Sequence, residues 1–117
     1  MVDSGNMVLT YFDLYGRAEV SRMILTWGKV EFVDNRISGQ AFTDFKASGK
    51  CPGGQLPVLE NEGLCMNQSE AVARYCAIKA GIYNSANPAA CYRDDMIINT
   101  ATDFGNTAAK DEAGKSI

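Results

Sequence analysis

The chain has 117 residues, 46% of them hydrophobic, with 11 basic and 14 acidic side chains and no histidine. That is enough apolar material for one domain core, or for a domain and a fragment of a second, and it argues against bulk disorder. The missing imidazole excludes Ser-His-Asp and Cys-His catalysis and any metal site that needs histidine, and the acidic balance without a Lys/Arg cluster argues against a nucleic-acid footprint.

Met7 to Phe12 is a short run of β-formers, broken by the turn chemistry of Asp13-Leu14-Tyr15-Gly16. From Arg17 to Trp27, Val20, Ile24 and Trp27 recur at helical spacing with Met23 alongside, and Gly28 sits where a helix end favours a left-handed residue. Val30 to Ile37 partly alternates and predicts a second strand, so a right-handed βαβ unit with parallel strands is expected. Ala41–Ala47 predicts a short irregular helix and 49–54 a loop. Leu56–Glu60 and Leu64–Asn67 predict a hairpin joined by Asn61-Glu62-Gly63. Ser69 is expected to N-cap a helix over 71–80 that Gly81 closes. Asn87-Pro88 reads as N-cap and first residue of a further helix to about Phe104, with Ile97, Ala101 and Phe104 on one face. The remainder is too polar to build a second core with that helix alone. The predicted order is β-α-β-α-β-β-α, then one helix.

Cys51, Cys65, Cys76 and Cys91 contain no Cys-x-x-Cys pair. Cys65 and Cys76 are expected to be buried, and Cys51 to be the exposed, oxidisable one. The polar N-terminus lacks a signal peptide's apolar stretch, and no segment approaches the roughly 18 apolar residues of a membrane span. Reduced thiols and a soluble, cytoplasmic protein are expected.

Three motifs stand in order: Leu9-Thr10-Tyr11-Phe12 followed by Gly16-Arg17-Ala18-Glu19, then Gly54-Gln55-Leu56-Pro57-Val58-Leu59, then Asn67-Gln68-Ser69-Glu70-Ala71-Val72-Ala73-Arg74-Tyr75. Together they resemble the N-terminal domain of cytosolic glutathione transferases, most closely the sigma class and its tyrosine-using relatives. The resemblance implies an α/β fold: a thioredoxin-like glutathione-binding domain over 1–82, then over 83–117 a linker and the first helix of an all-α C-terminal domain. The family's substrate is glutathione, with no metal.

Residue by residue, the resemblance implies that Tyr11 donates a hydrogen bond to the glutathione thiolate. Lowering a thiol pKa by about 2 units requires about 2.7 kcal/mol, and one hydrogen bond to a charged group supplies about 1.5–3 kcal/mol. Without the motif, Tyr11 reads as an ordinary strand tyrosine. Arg17 would set a positive charge beside the thiolate, or else is a solvated helix-start arginine. Pro57 resembles the family's cis-proline, which lets Leu56 present its backbone to the cysteinyl moiety; the alternative is a proline at a strand edge. Gln68 and Ser69, at a helix N-terminus, would hold the γ-glutamyl carboxylate; alone, Ser69 would be only a cap. Lys46 would reach the glycine carboxylate. Phe42 stands where many sigma-class members have tryptophan, Gln55 where relatives often have lysine, and the 49–54 loop is about two residues longer than the class usually carries. Lys50 reads as an exposed loop lysine. Asp103 would cross to the partner's site in a homodimer, or else is a solvated helix carboxylate.

The activity so implied is attack by the bound thiolate on a small hydrophobic electrophile, and the class also includes prostaglandin isomerases. A non-catalytic structural or ligand-binding protein of the same fold, or an inactive truncated product, is the alternative.

Overall fold

The computed structural model describes residues 7–108, with side chains through Asp103. The elements are strand β1 (Val8–Phe12), helix α1 (Glu19–Trp27), strand β2 (Val33–Ile37), helix α2 (Gln40–Ala47), strands β3 (Val58–Asn61) and β4 (Leu64–Met66), helix α3 (Ser69–Lys79) and helix α4 (Pro88–Ala108). Short 3-10 turns cover Gly16–Ala18 and Pro52–Gly54. The sheet order is β2-β1-β3-β4, with β1 and β2 parallel and the other pairs antiparallel. This is the thioredoxin-like arrangement followed by one further helix.

The core forms where β1 and β3 cross the middle of the sheet: Met7, Leu9, Val58, Leu59, Leu25, Val72 and Cys76 are fully or almost fully buried. Alternation along β1 sends neighbouring side chains to opposite faces. Tyr11 meets α1, whose Arg22 lies over its ring, and Phe12 meets Phe42 of α2 edge-on at 5.0 Å between ring centroids.

Several local expectations are corrected. The side of α1 buried in the main core carries Ser21, Arg22 and Leu25, in line with Ala18 of the preceding turn, while Met23 and Trp27 are exposed. Val20 is buried on a second side, with Ala73 and Ile98, and Ile24 packs against that group. The apolar periodicity therefore found the Val20 and Ile24 side, which packs toward α3 and α4, and missed the side carrying Ser21 and Arg22, whose polar residues leave no apolar pattern. Gly28 has φ −79° and is not left-handed; the left-handed residue is Lys29, at φ +58°. The Val30 N–H bonds to the Leu25 carbonyl and that of Lys29 to Thr26, closing α1 in a Schellman cap that delays β2 until Val33. Gly28 is required instead by packing, since a Cβ there would lie 2.5 Å from that of Ala80, the C-cap of α3.

Helix α2 is a regular α-helix from Gln40, and α4 continues past Phe104 to Ala108. The polar tail expected after Gly105 lies largely outside the described residues. The β3–β4 connection is only Glu62-Gly63, both with positive φ as a tight hairpin turn requires. Asn87 caps α4 as expected, its Oδ1 accepting the Ala90 N–H at 3.1 Å.

Candidate functional site

The register of the sheet gathers the candidate residues at one end. β1 runs toward Tyr11 while β3 starts at Val58 opposite Thr10, so continuation of the antiparallel register sets Pro57 beside Tyr11. Met66 pairs with Leu59, so β4 leaves the sheet at that same end and delivers Gln68 and Ser69 to the start of α3. β2, parallel to β1, ends there too and leads into α2 with Phe42 and Lys46.

Tyr11 is buried, with 7% of its surface exposed. Its Oη accepts the Arg17 backbone N–H at 3.1 Å. A hydroxyl that accepts one bond still carries its own proton for donation. Arg17 is exposed in the turn before α1, and Tyr15, 73% exposed, stands on the loop as a rim residue. The Leu56–Pro57 peptide bond is cis, and both residues are buried, whereas Gln55 is exposed.

Ser69 is not the N-cap. The Val72 N–H bonds to the Gln68 carbonyl, so α3 starts at Ser69 and Gln68 holds the cap position, without a capping bond from its own side chain. The physical reason is Gln68's backbone: φ +73° and ψ 105° turn the chain from extended to helical one residue earlier than the sequence pattern places the turn. The first-turn N–H groups of α3 have no carbonyl partners within the helix and form the positive end of its dipole.

On α2, the Lys46 ammonium sits 4.4 Å from the centroid of the Phe42 ring. Phe42 lacks an indole N–H, but its face attracts the exposed ammonium. Lys50 is 3.8 Å from Glu60 and so is engaged with β3. Asp103 is exposed on α4, the helix that packs against the Gly16–Ala18 turn.

The cysteine expectations are half reversed. Cys51 is buried in the core cluster, its Sγ 3.6 Å from the Gln55 carbonyl, and Cys65 is exposed on the short edge strand β4; Cys76 is buried as expected. Burial pushes the Cys76 thiol up to about 12, so it stays protonated and is no nucleophile. Among the described residues, no group of three or more Cys, Asp or Glu side chains is placed to hold a metal ion, and no helix is long and apolar enough to cross a membrane.

The sequence reading passed over Arg22. This guanidinium is buried beneath the β1–α1 loop and bonded to Asp34 at 3.0 Å and to the Leu14 carbonyl at 2.7 Å. A signal was available: Arg22 lies four residues after Ala18 and three before Leu25, on the side of α1 that faces the core.

Residues 7–77 match the family profile described as glutathione S-transferase, N-terminal domain. The chain belongs to the glutathione S-transferase family. It is 35% identical over 99 residues to the hematopoietic prostaglandin D synthase of Gallus gallus, covering 85% of this chain and 48% of that protein. It is 38% identical over 96 residues to glutathione S-transferase 3 of Caenorhabditis elegans, covering 82% and 45%. Among solved structures, a monomeric glutathione S-transferase from the hookworm Necator americanus superposes with a TM-score of 0.72 at 37% identity, over 85% of this chain and 47% of that one. This glutathione S-transferase chain thus resembles sigma-like members and spans about half the length of the relatives it matches.

Proposed function

We propose that this family member binds glutathione at the end of the sheet just described and stabilises its thiolate for attack on a small hydrophobic electrophile. The observation that carries the reading is Tyr11: a buried phenol whose oxygen is already held by the Arg17 N–H, leaving its own proton to be given to sulfur. In this reading the Leu56 backbone meets the cysteinyl moiety. Gln68, Ser69 and the N-terminus of α3 take the γ-glutamyl carboxylate, and Lys46, seated on Phe42, takes the glycine carboxylate. Arg17 contributes positive charge near the sulfur, and Gln55 lines the rim. The domain boundary near residue 82, a cytoplasmic location, and a homodimer in which Asp103 reaches the partner's site belong to the same reading. The last is open to a direct test, sedimentation velocity, because the hookworm relative is described as monomeric.

Retention on immobilised glutathione tests the site. It should be strong for the natural chain and much reduced for Gln68→Ala with Ser69→Ala; failure of the natural chain to be retained rejects it. Tyr11→Phe should lower conjugation of a small aromatic electrophile about 10- to 100-fold, the worth of one hydrogen bond to a charged group. An unchanged rate rejects the role of Tyr11. Retention without any turnover would favour a non-catalytic glutathione-binding protein.

A further inference from the structure

The β1–α1 loop is shaped around one side chain. Arg22 is 5% exposed. Its Nη1 donates to the carbonyls of Leu14 at 2.7 Å and Tyr15 at 3.4 Å and to Glu19 at 3.2 Å. Its Nη2 donates to the Phe12 carbonyl at 3.2 Å, its Nε to Asp34 at 3.0 Å, and the guanidinium carbon lies 5.6 Å from the centroid of the Tyr11 ring. Loop carbonyls ordinarily turn outward to water, but here those of Leu14 and Tyr15, with that of Phe12 at the end of β1, converge inward on a planar donor fork.

We propose that Arg22 is a positioning residue for the reaction: it holds residues 12–17 in the curve that lays the Arg17 N–H on the Tyr11 hydroxyl, and so aims the phenol at the bound sulfur. This rests on the reading of Tyr11 as the thiolate's donor. The geometry requires an arginine. A lysine at position 22 keeps the charge but places its donors on one point, and it cannot serve the carbonyls of Phe12, Leu14 and Tyr15 together with Asp34. Released carbonyls would rotate toward solvent, and the Arg17 N–H, one peptide further on, would leave Tyr11. The plain structural role, fastening α1 to β2 through Asp34, predicts a loss of stability with unchanged chemistry in the molecules that remain folded.

Arg22→Lys separates the two. With rates normalised to the folded fraction, kcat for conjugation is expected to fall about tenfold or more, and the midpoint of the pH–rate profile to rise by about one unit. KM for glutathione should stay within about threefold, because the carboxylate-binding groups lie on other elements. A superimposable pH profile and unchanged kcat overturn the proposal. Amide exchange at Arg17 gives a readout that does not depend on glutathione: protection should drop about tenfold relative to Thr10 in β1, and unchanged protection overturns the proposal whether or not the chain conjugates anything. Loosened Arg17 exchange in a chain that does not bind glutathione would uphold the role of Arg22 in the loop and reject the proposed function instead. If Arg22→Lys does not fold, Asp34→Asn decides: losing one charge-assisted bond to the fork should loosen Arg17 by about two- to fivefold, and an unchanged Arg17 in a less stable protein overturns the proposal.

Discussion

Gly16 shows how closely the candidate site is packed at the level of single residues. A methyl group at this position would overlap the Tyr11 hydroxyl and come within 2.7 Å of Leu14 Cδ1, and the backbone φ of +46° is one that L side chains rarely adopt. Gly16→Ala is therefore expected to lower the conjugation rate about tenfold or more through a displaced phenol. Initial rates normalised to folded protein check this, and wild-type rates would show that the loop can yield without moving Tyr11. Tyr11, Arg17, Gln68 and Ser69 were legible as candidates in the sequence because each stands in a short ordered motif. Arg22 was not, because its partners are the carbonyls of Phe12, Leu14 and Tyr15 and a carboxylate on β2, and a carbonyl has no sequence signature. The same limit explains Cys51 and Cys65: loop and edge-strand exposure depend on what folds over them.

Two helices end in the same motif with different residues. α3 closes with Gly81 at φ +76°, the Ile82 N–H reaching the Ala77 carbonyl; α1 closes with Lys29 at φ +58° and Val30 reaching Leu25. The left-handed conformation costs an L residue about 1–2 kcal/mol, offset in part by the entropy a glycine loses on folding. Lys29→Gly should thus stabilise the fold by about 0.5–1 kcal/mol, raising Tm by roughly 2–6 °C, measurable by thermal unfolding. In the hairpin turn, Glu62 occupies a similar backbone at φ +54°, and its carboxylate is held by Lys79 at 2.6 Å and the Tyr75 hydroxyl at 2.5 Å. These bonds, Lys79 first and Tyr75 second, hold the Glu62 carboxyl below its usual range, and Glu62 in turn raises Lys79. A depressed carboxyl stabilises the fold above its unfolded pKa of about 4.3 and ceases to as pH falls through the folded value. A raised lysine stabilises below about 10.4 and loses this as pH rises through its folded value. Denaturation of the natural chain and Glu62→Gln should therefore differ near neutral pH and converge in acid; a constant difference would mean that the ion pair is immaterial. The strand and helix order was legible from periodicity and turn residues, whereas the caps were misplaced by one residue at both Gly28 and Ser69. A one-residue shift leaves the pattern of apolar residues unchanged, and only the backbone bonds distinguish the two placements.

At the scale of the whole molecule, α4 packs on α1, α3 and the Gly16–Ala18 turn, with an apolar cluster and a polar group among the contacts that fasten it. Ile98 is buried against Val20 and Ala73, and Arg74 on α3 donates to Asp95 at 2.8 Å, with the Tyr83 hydroxyl bonding the same carboxylate. Ile98→Ala is expected to cost about 2–4 kcal/mol of unfolding free energy in urea, because the cavity lies between packed helices. A loss below about 1 kcal/mol would show that α4 docks on the domain without supporting it. Gly28 belongs to this scale as well: its hydrogen is what lets the end of α1 approach Ala80 at the end of α3.

The sequence by itself determined the element order, the parallel βαβ start, the hairpin, the cap of α4 and the family, since these rest on local propensity, turn chemistry and ordered motifs. Tertiary structure alone decided which stripe of α1 faces the core, which cysteines are buried, and that Arg22 gathers the loop beneath Tyr11. Those features depend on groups brought together from distant positions, Phe12 with Arg22 and Asp34, or Gly28 with Ala80, and such pairings exist only once the chain has closed on itself.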